Sequence, residues 1–168
     1  SIYNTRVANS LWRHKHWKSI CQNYSKSKYF SEYKGLIEEL YCRDDLIMLS
    51  EINTAFIRTI CDILNINTQI VQSKDFNFRG GKSERLLSIC RDLEVSEYVS
   101  GLAAKEYLDE SLFIDNNIKV DWMDYSNYSA YPQRSKVFEH GVSIIDLIFN
   151  EGPNAKKFMK YVDKSEWV

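Results

Sequence analysis

The stretch Gly80-Gly81-Lys82-Ser83-Glu84-Arg85-Leu86-Leu87 decides the fold, because the chain changes its periodicity around it. Before it, Thr68 to Gln72 holds Ile70 and Val71 in a run of only five residues, which reads as a strand entering the core. At the stretch itself two glycines permit a tight turn and Ser83 can cap. Leu86, Leu87, Cys90 and Leu93 then mark a helix. Beyond it, Glu97 to Ser100 reads as a second strand ending at Gly101. Ala103 to Leu108 and Glu110 to Asn116 read as helical pieces, with Asp109 capping the second. Ile118 to Asp124 sets Ile118, Val120 and Trp122 against Lys119, Asp121 and Met123, the period of a half-exposed strand. Strand, helix, strand, helices, strand predicts parallel pairing through right-handed crossovers, a β-α-β-α-β unit.

Working outward, the N-terminal half reads as helical. Ser10 can cap a helix with Trp17, Ile20, Cys21 and Tyr24 on one face, and Ser31 a second with Leu36, Ile37, Leu40 and Tyr41. Asp45 is expected to start a third, where Leu49, Ile52, Phe56, Ile60 and Ile63 repeat at helical intervals, and Asn65 suits a left-handed end. On the C-terminal side, 125–133 is rich in Tyr and Asn and reads as loop. Ser143 precedes an apolar helix from Ile144 to Asn150, Gly152 closes it, and Pro153 suits the start of a last helix. The expected class is therefore α/β: a helical N-terminal half, a β-α-β-α-β parallel-sheet unit and C-terminal helices. Residues 1–168 are enough for one well-cored domain and few for two.

Bulk properties exclude several classes. A net charge of −1 argues against a protein that coats nucleic acid, which needs a surplus of Lys and Arg. No apolar run approaches the ~18 residues of a membrane span; Ser143 and Asp146 interrupt the longest, Val142 to Phe149. Cys21, Cys42, Cys61 and Cys90 form no C-x-x-C pair and have no nearby His, so neither a zinc site nor a disulfide framework is expected and the cytoplasm is the natural compartment. No cofactor motif is present. Eleven Tyr, eight Phe and four Trp suit a thick core, or equally a pocket that stacks on a sugar or a base. The oligomeric state is not legible.

Several residues are candidates for chemistry. A helix start offers unpaired N–H groups and a positive dipole end, so an anion is welcome at Gly80 to Arg85; Lys82 and Arg85 add charge. The turn is not a Walker A loop, since Phe76 stands where that motif needs Gly. Cap plus solvated charges is the competing reading. Ser100, Gly101, Lys105 and Asp109 are expected to face the same edge of the sheet, with Lys105 poorly placed for the helix dipole and Asp109 either an N-cap or a catalyst. His16, beside Trp17 and Lys18, is a candidate acid/base group, or a surface histidine. Asp146 interrupts a segment apolar nearly all round; a buried carboxylate demands a partner. It is either a functional group or a structural hydrogen bonder, for instance with Ser143.

The segments 16–20 (His16-Trp17-Lys18-Ser19-Ile20), 22–24, 81–87, 98–101, 103–109, 131–133 (Tyr131-Pro132-Gln133), 143–150 and Gly152-Pro153 occur in this order. Together they resemble the WbqC-like protein family over nearly the whole chain. The family often has Thr where this chain has Ser83. It usually carries a further N-terminal part that this sequence lacks, so the resemblance implies a single domain truncated at its N-terminus relative to the family. Members are associated with bacterial O-antigen or capsule clusters. The resemblance thus implies a transferase moving glycine or another acyl group onto a nucleotide-linked amino sugar, or a sugar- or partner-binding accessory protein of the same pathway. In that reading Gly81, Lys82, Ser83, Glu84, Arg85, Ser100, Gly101, Lys105, Tyr131 and Gln133 bind substrate. His16, Asp109 and Asp146 are the candidate bases.

Overall fold

A computed structural model describes residues 2–77 and 80–160. The helices are α1 (Leu11–Tyr24), α2 (Phe30–Cys42), α3 (Leu49–Ile63), α4 (Lys82–Asp92), α5 (Glu110–Ile114) and α6 (Ile144–Glu151); the strands are β1 (Glu97–Gly101) and β2 (Lys119–Met123). Short 3-10 turns occupy Ile2–Asn4, Ser73–Asp75, Leu102–Glu106 and Gly152–Phe158. The chain divides into two compact units. One combines residues up to 67 with those from 128 onward, and the other is 68–127. No helix among the described residues is long and apolar enough to cross a membrane.

The first unit is helical, as its periodicity predicts. Ile52 of α3 is buried, and Ile60 and Ile63 pack against Leu64, Leu147 and Ile148. Within α6, Ile148 and Phe149 are wholly enclosed, each such side chain stabilising by about 1.5–3 kcal/mol. The Phe149 ring lies 5.0 Å from Phe30 and 5.4 Å from Tyr24, and Trp17 stacks over Phe30 at 6.3 Å. Asn65 takes the expected left-handed conformation (φ 48°), Ser143 precedes α6 and Gly152 follows it.

Two helix starts of this unit differ from expectation. The second helix begins at Phe30, not after Ser31, because the Tyr29 N–H is drawn to the Phe149 carbonyl at 2.9 Å. The third begins at Leu49 rather than Asp45: Met48 bridges to Arg6, and the Leu49 N–H donates to the Thr5 carbonyl at 2.9 Å. Asp45 instead pairs with Arg43 at 2.8 Å. Backbone pairing with distant segments sets both boundaries where side-chain caps were expected.

In the second unit β1 and β2 pair in parallel, from Glu97 opposite Lys119 to Gly101 opposite Met123. The crossover runs through the 3-10 turn at Leu102–Glu106, shorter than the helical piece expected there, and then α5, which Asp109 caps. Leu87, Cys90, Leu108, Phe113 and Ile118 form the core beneath. Of the expected β-α-β-α-β unit, the structure shows the part from α4 to β2. Residues 68–72 form no strand. Val71 is 40% exposed, so half of the apolar pair that suggested a core strand stays wet, and an extended segment without a ladder partner gains little from its pattern.

Candidate functional site

The turn before α4 has the backbone its glycines imply: Gly80 sits at φ +98°, a conformation L side chains rarely adopt. Gly81, not Ser83, is the N-cap, since the helix already begins at Lys82. Over this start lies the chain's own Glu84. Its carboxylate oxygen would be 2.7 Å from a Cβ placed on Gly81, so the acidic side chain lies against the turn. An acidic group in the first turn is favoured there by the helix dipole.

The positive charge on this helix opens instead onto a neighbouring cleft of about 370 Å³, lined by Ser73, Lys82, Arg85, Leu86, Ile89 and Tyr107. The Lys82 ammonium lies 4.8 Å from the centre of the Tyr107 ring, a cation–π contact. Lys82 and Arg85 are three residues apart, which brings both to one side of the helix. Leu86 and Ile89 supply an apolar floor. Two cations beside an aromatic wall suit a ligand with an anionic group next to a ring.

Ser83 is turned the other way and is buried. Its hydroxyl accepts from the Asp109 N–H at 3.0 Å and donates to the Tyr107 carbonyl at 3.3 Å. Asp109 spends its carboxylate on Ser111, accepting from the backbone N–H at 3.1 Å and from the hydroxyl at 2.6 Å. Lys105 lies over Trp122 at 5.2 Å, and Ser100 and Gly101 end β1, where a Cβ on Gly101 would come within 3.3 Å of the Tyr125 hydroxyl. Lys105, Ser100 and Gly101 are not among the cleft's lining residues.

The remaining candidates belong to the first unit. Asp146 is buried and accepts from the Tyr131 hydroxyl at 2.7 Å and from Gln133 Nε2 at 3.0 Å. Gln133 also ties down its own loop, donating to the Glu139 carbonyl at 2.9 Å and accepting from the Glu139 N–H at 2.8 Å. Tyr24 joins the group. Burial, then the charge and hydrogen bond of Asp146, push its phenol up to about 12. Tyr131 is raised as well, by burial and then by its bond to Asp146. The carboxylate therefore has the partners its burial demands, though Ser143 makes no side-chain cap bond. His16 stands exposed on α1, edge-on to Trp12 at 5.3 Å and Tyr41 at 6.3 Å.

The structure thus brings Lys82 together with Arg85, Ser83 with Asp109, and Tyr131 and Gln133 with Asp146. No site role was expected from the sequence for Ser73, Tyr107, Leu86 and Ile89 of the cleft, or for Tyr24. Tyr107 and Tyr24 lie inside quoted motifs, and an aromatic there was the available signal.

The chain belongs to the WbqC-like protein family, whose profile matches residues 1–158. It is also 36% identical over 160 residues to the uncharacterized protein Rv1507c of Mycobacterium tuberculosis, covering 95% of this chain and 69% of that protein. No solved structure matches it.

Proposed function

We propose that the protein acts in bacterial surface-polysaccharide biosynthesis, as a transferase that moves glycine or another acyl group onto a nucleotide-linked amino sugar. Family membership supports the pathway. The observation that carries the substrate class is the cleft: Lys82 and Arg85 sit on one side of α4 beside Tyr107. The cations receive the phosphates, Arg85 with bidentate geometry, and the tyrosine and apolar floor take the adjoining ring. With Glu84 over the helix start, side chains rather than backbone N–H groups supply the attraction. The setting is the cytoplasm, as the cysteine spacing suggests.

In acyl transfer the sugar nitrogen forms a bond to the acyl carbon, the donor's leaving group departs with its electron pair, and the nitrogen loses a proton to a base. Asp109 and Asp146 have their carboxylates engaged by internal donors. His16, the other candidate base, stands on α1 of the first unit and is not among the lining residues of the cleft.

One observation favours the second reading, a sugar-binding accessory protein: neither a carboxylate nor an imidazole is among the lining residues of the cleft. Mass spectrometry separates the two. Incubation with amino-sugar nucleotides and activated acyl donors yields an acylated sugar if the protein is a transferase. Retention of the nucleotide sugar without any new product supports the accessory role.

A further inference from the structure

The cleft is assembled from three segments of the second unit, the first giving Ser73 of the 3-10 turn at Ser73–Asp75. Lys82, Arg85, Leu86 and Ile89 come from α4, and Tyr107 comes from the stretch after the 3-10 turn at Leu102–Glu106. Tyr107 is 48% exposed, so its ring is not wedged in place by a core. Its own N–H is held by the Ala104 carbonyl at 3.1 Å, within the turn that carries it. Leu108, the next residue, is buried.

What ties this stretch to the helix is Ser83. Its hydroxyl is only 6% exposed at the residue level and faces the backbone on both sides of Leu108, donating to the Tyr107 carbonyl and accepting from the Asp109 N–H. One hydroxyl can do both because it carries a donor hydrogen and acceptor lone pairs together. Ser83 also follows Lys82 directly, so the residue that fixes the wall adjoins the cation resting on it.

We infer that Ser83 is a positioning residue: it holds the Tyr107 ring against Lys82 and thereby sets the width of the cleft, without touching the ligand. This departs from a direct ligand contact by Ser83, and its effect on affinity rests on the cleft being the ligand site. A threonine keeps the donor and acceptor, whereas alanine leaves the Tyr107 carbonyl and the Asp109 N–H without this partner.

The test has an arm that needs no ligand. Lys82 side-chain protons above the Tyr107 ring carry an upfield ring-current shift in NMR. Ser83→Thr keeps that shift and Ser83→Ala loses most of it, with the amide signals of β1 and β2 unchanged in both. In the second arm, calorimetric affinity for UDP-glucosamine falls roughly three- to tenfold in Ser83→Ala and is restored in Ser83→Thr. A wild-type shift that survives in Ser83→Ala overturns the inference. If Ser83→Ala does not fold, Ser83→Thr decides: a folded threonine variant without the shift also overturns it. If the shift behaves as expected but wild type binds no UDP-glucosamine, the positioning role stands and the ligand assignment falls.

Discussion

Tyr131 donates its phenolic hydrogen to Asp146 across 2.7 Å, and Gln133 adds a second donor to the same oxygen at 3.0 Å. A carboxylate this buried between Ile145 and Leu147 is tolerable only with such donors. The bonds also fasten residues 131–133 to the first turn of α6.

Removing the phenol should therefore cost stability. Tyr131→Phe is expected to destabilise the protein by about 1.5–3 kcal/mol, as for a hydrogen bond to a charged acceptor. Asp146→Ala should cost more, because it strands the donors of Tyr131 and Gln133 together. Urea unfolding measures both; an unchanged midpoint for Tyr131→Phe would show the bond to be idle.

The same cluster sets an alkaline limit. Tyr24 titrates at about 12 when folded against an ordinary value of 10, and Tyr131 is shifted the same way. A raised folded value means that the native state holds the phenolic proton more tightly than the unfolded chain. The contribution is complete below pH 10 and drains away as pH climbs toward about 12. The thermal midpoint should fall across that window, and fall less steeply in Tyr24→Phe. Parallel curves for the two proteins would contradict this.

Two glycines should respond oppositely to alanine. Gly152 sits at φ +51°, and a Cβ there would lie 2.5 Å from the Tyr29 ring, so Gly152→Ala should destabilise by more than about 1 kcal/mol. Gly35 lies inside α2 with nothing within 4 Å of its Cβ position, so Gly35→Ala should stabilise by about 0.5–1 kcal/mol. Thermal denaturation of the pair checks both signs.

Features written in local periodicity were legible. The spacing from Leu49 to Ile63 gave α3, the alternation around Val120 gave β2, and the isolation of Asp146 among apolar neighbours announced a carboxylate in need of partners. Features that depend on what approaches from elsewhere were not. The 68–72 segment has a strand's composition but no ladder partner. Ser83 looked like a cap because its helix start was placed two residues late. Arg13, which nothing in the sequence singled out, is 4% exposed and donates to the Leu40 and Leu46 carbonyls beyond the end of its own helix. Those acceptors become its partners only once α2 packs on α1. Glu84 was grouped with the ligand contacts, and the fold of its side chain back against Gly81 was not legible in the spacing.

The central claim is that Lys82 and Arg85 hold the phosphates of a nucleotide-linked amino sugar. The most direct measurement is calorimetric titration of UDP-glucosamine into wild type and into the Lys82→Ala, Arg85→Ala double variant, with circular dichroism confirming that both are folded. The account predicts binding by wild type and a loss of at least about tenfold in the variant, since each charged hydrogen bond is worth roughly 1.5–3 kcal/mol. Equal affinity in the two proteins, or no binding by wild type, would contradict it.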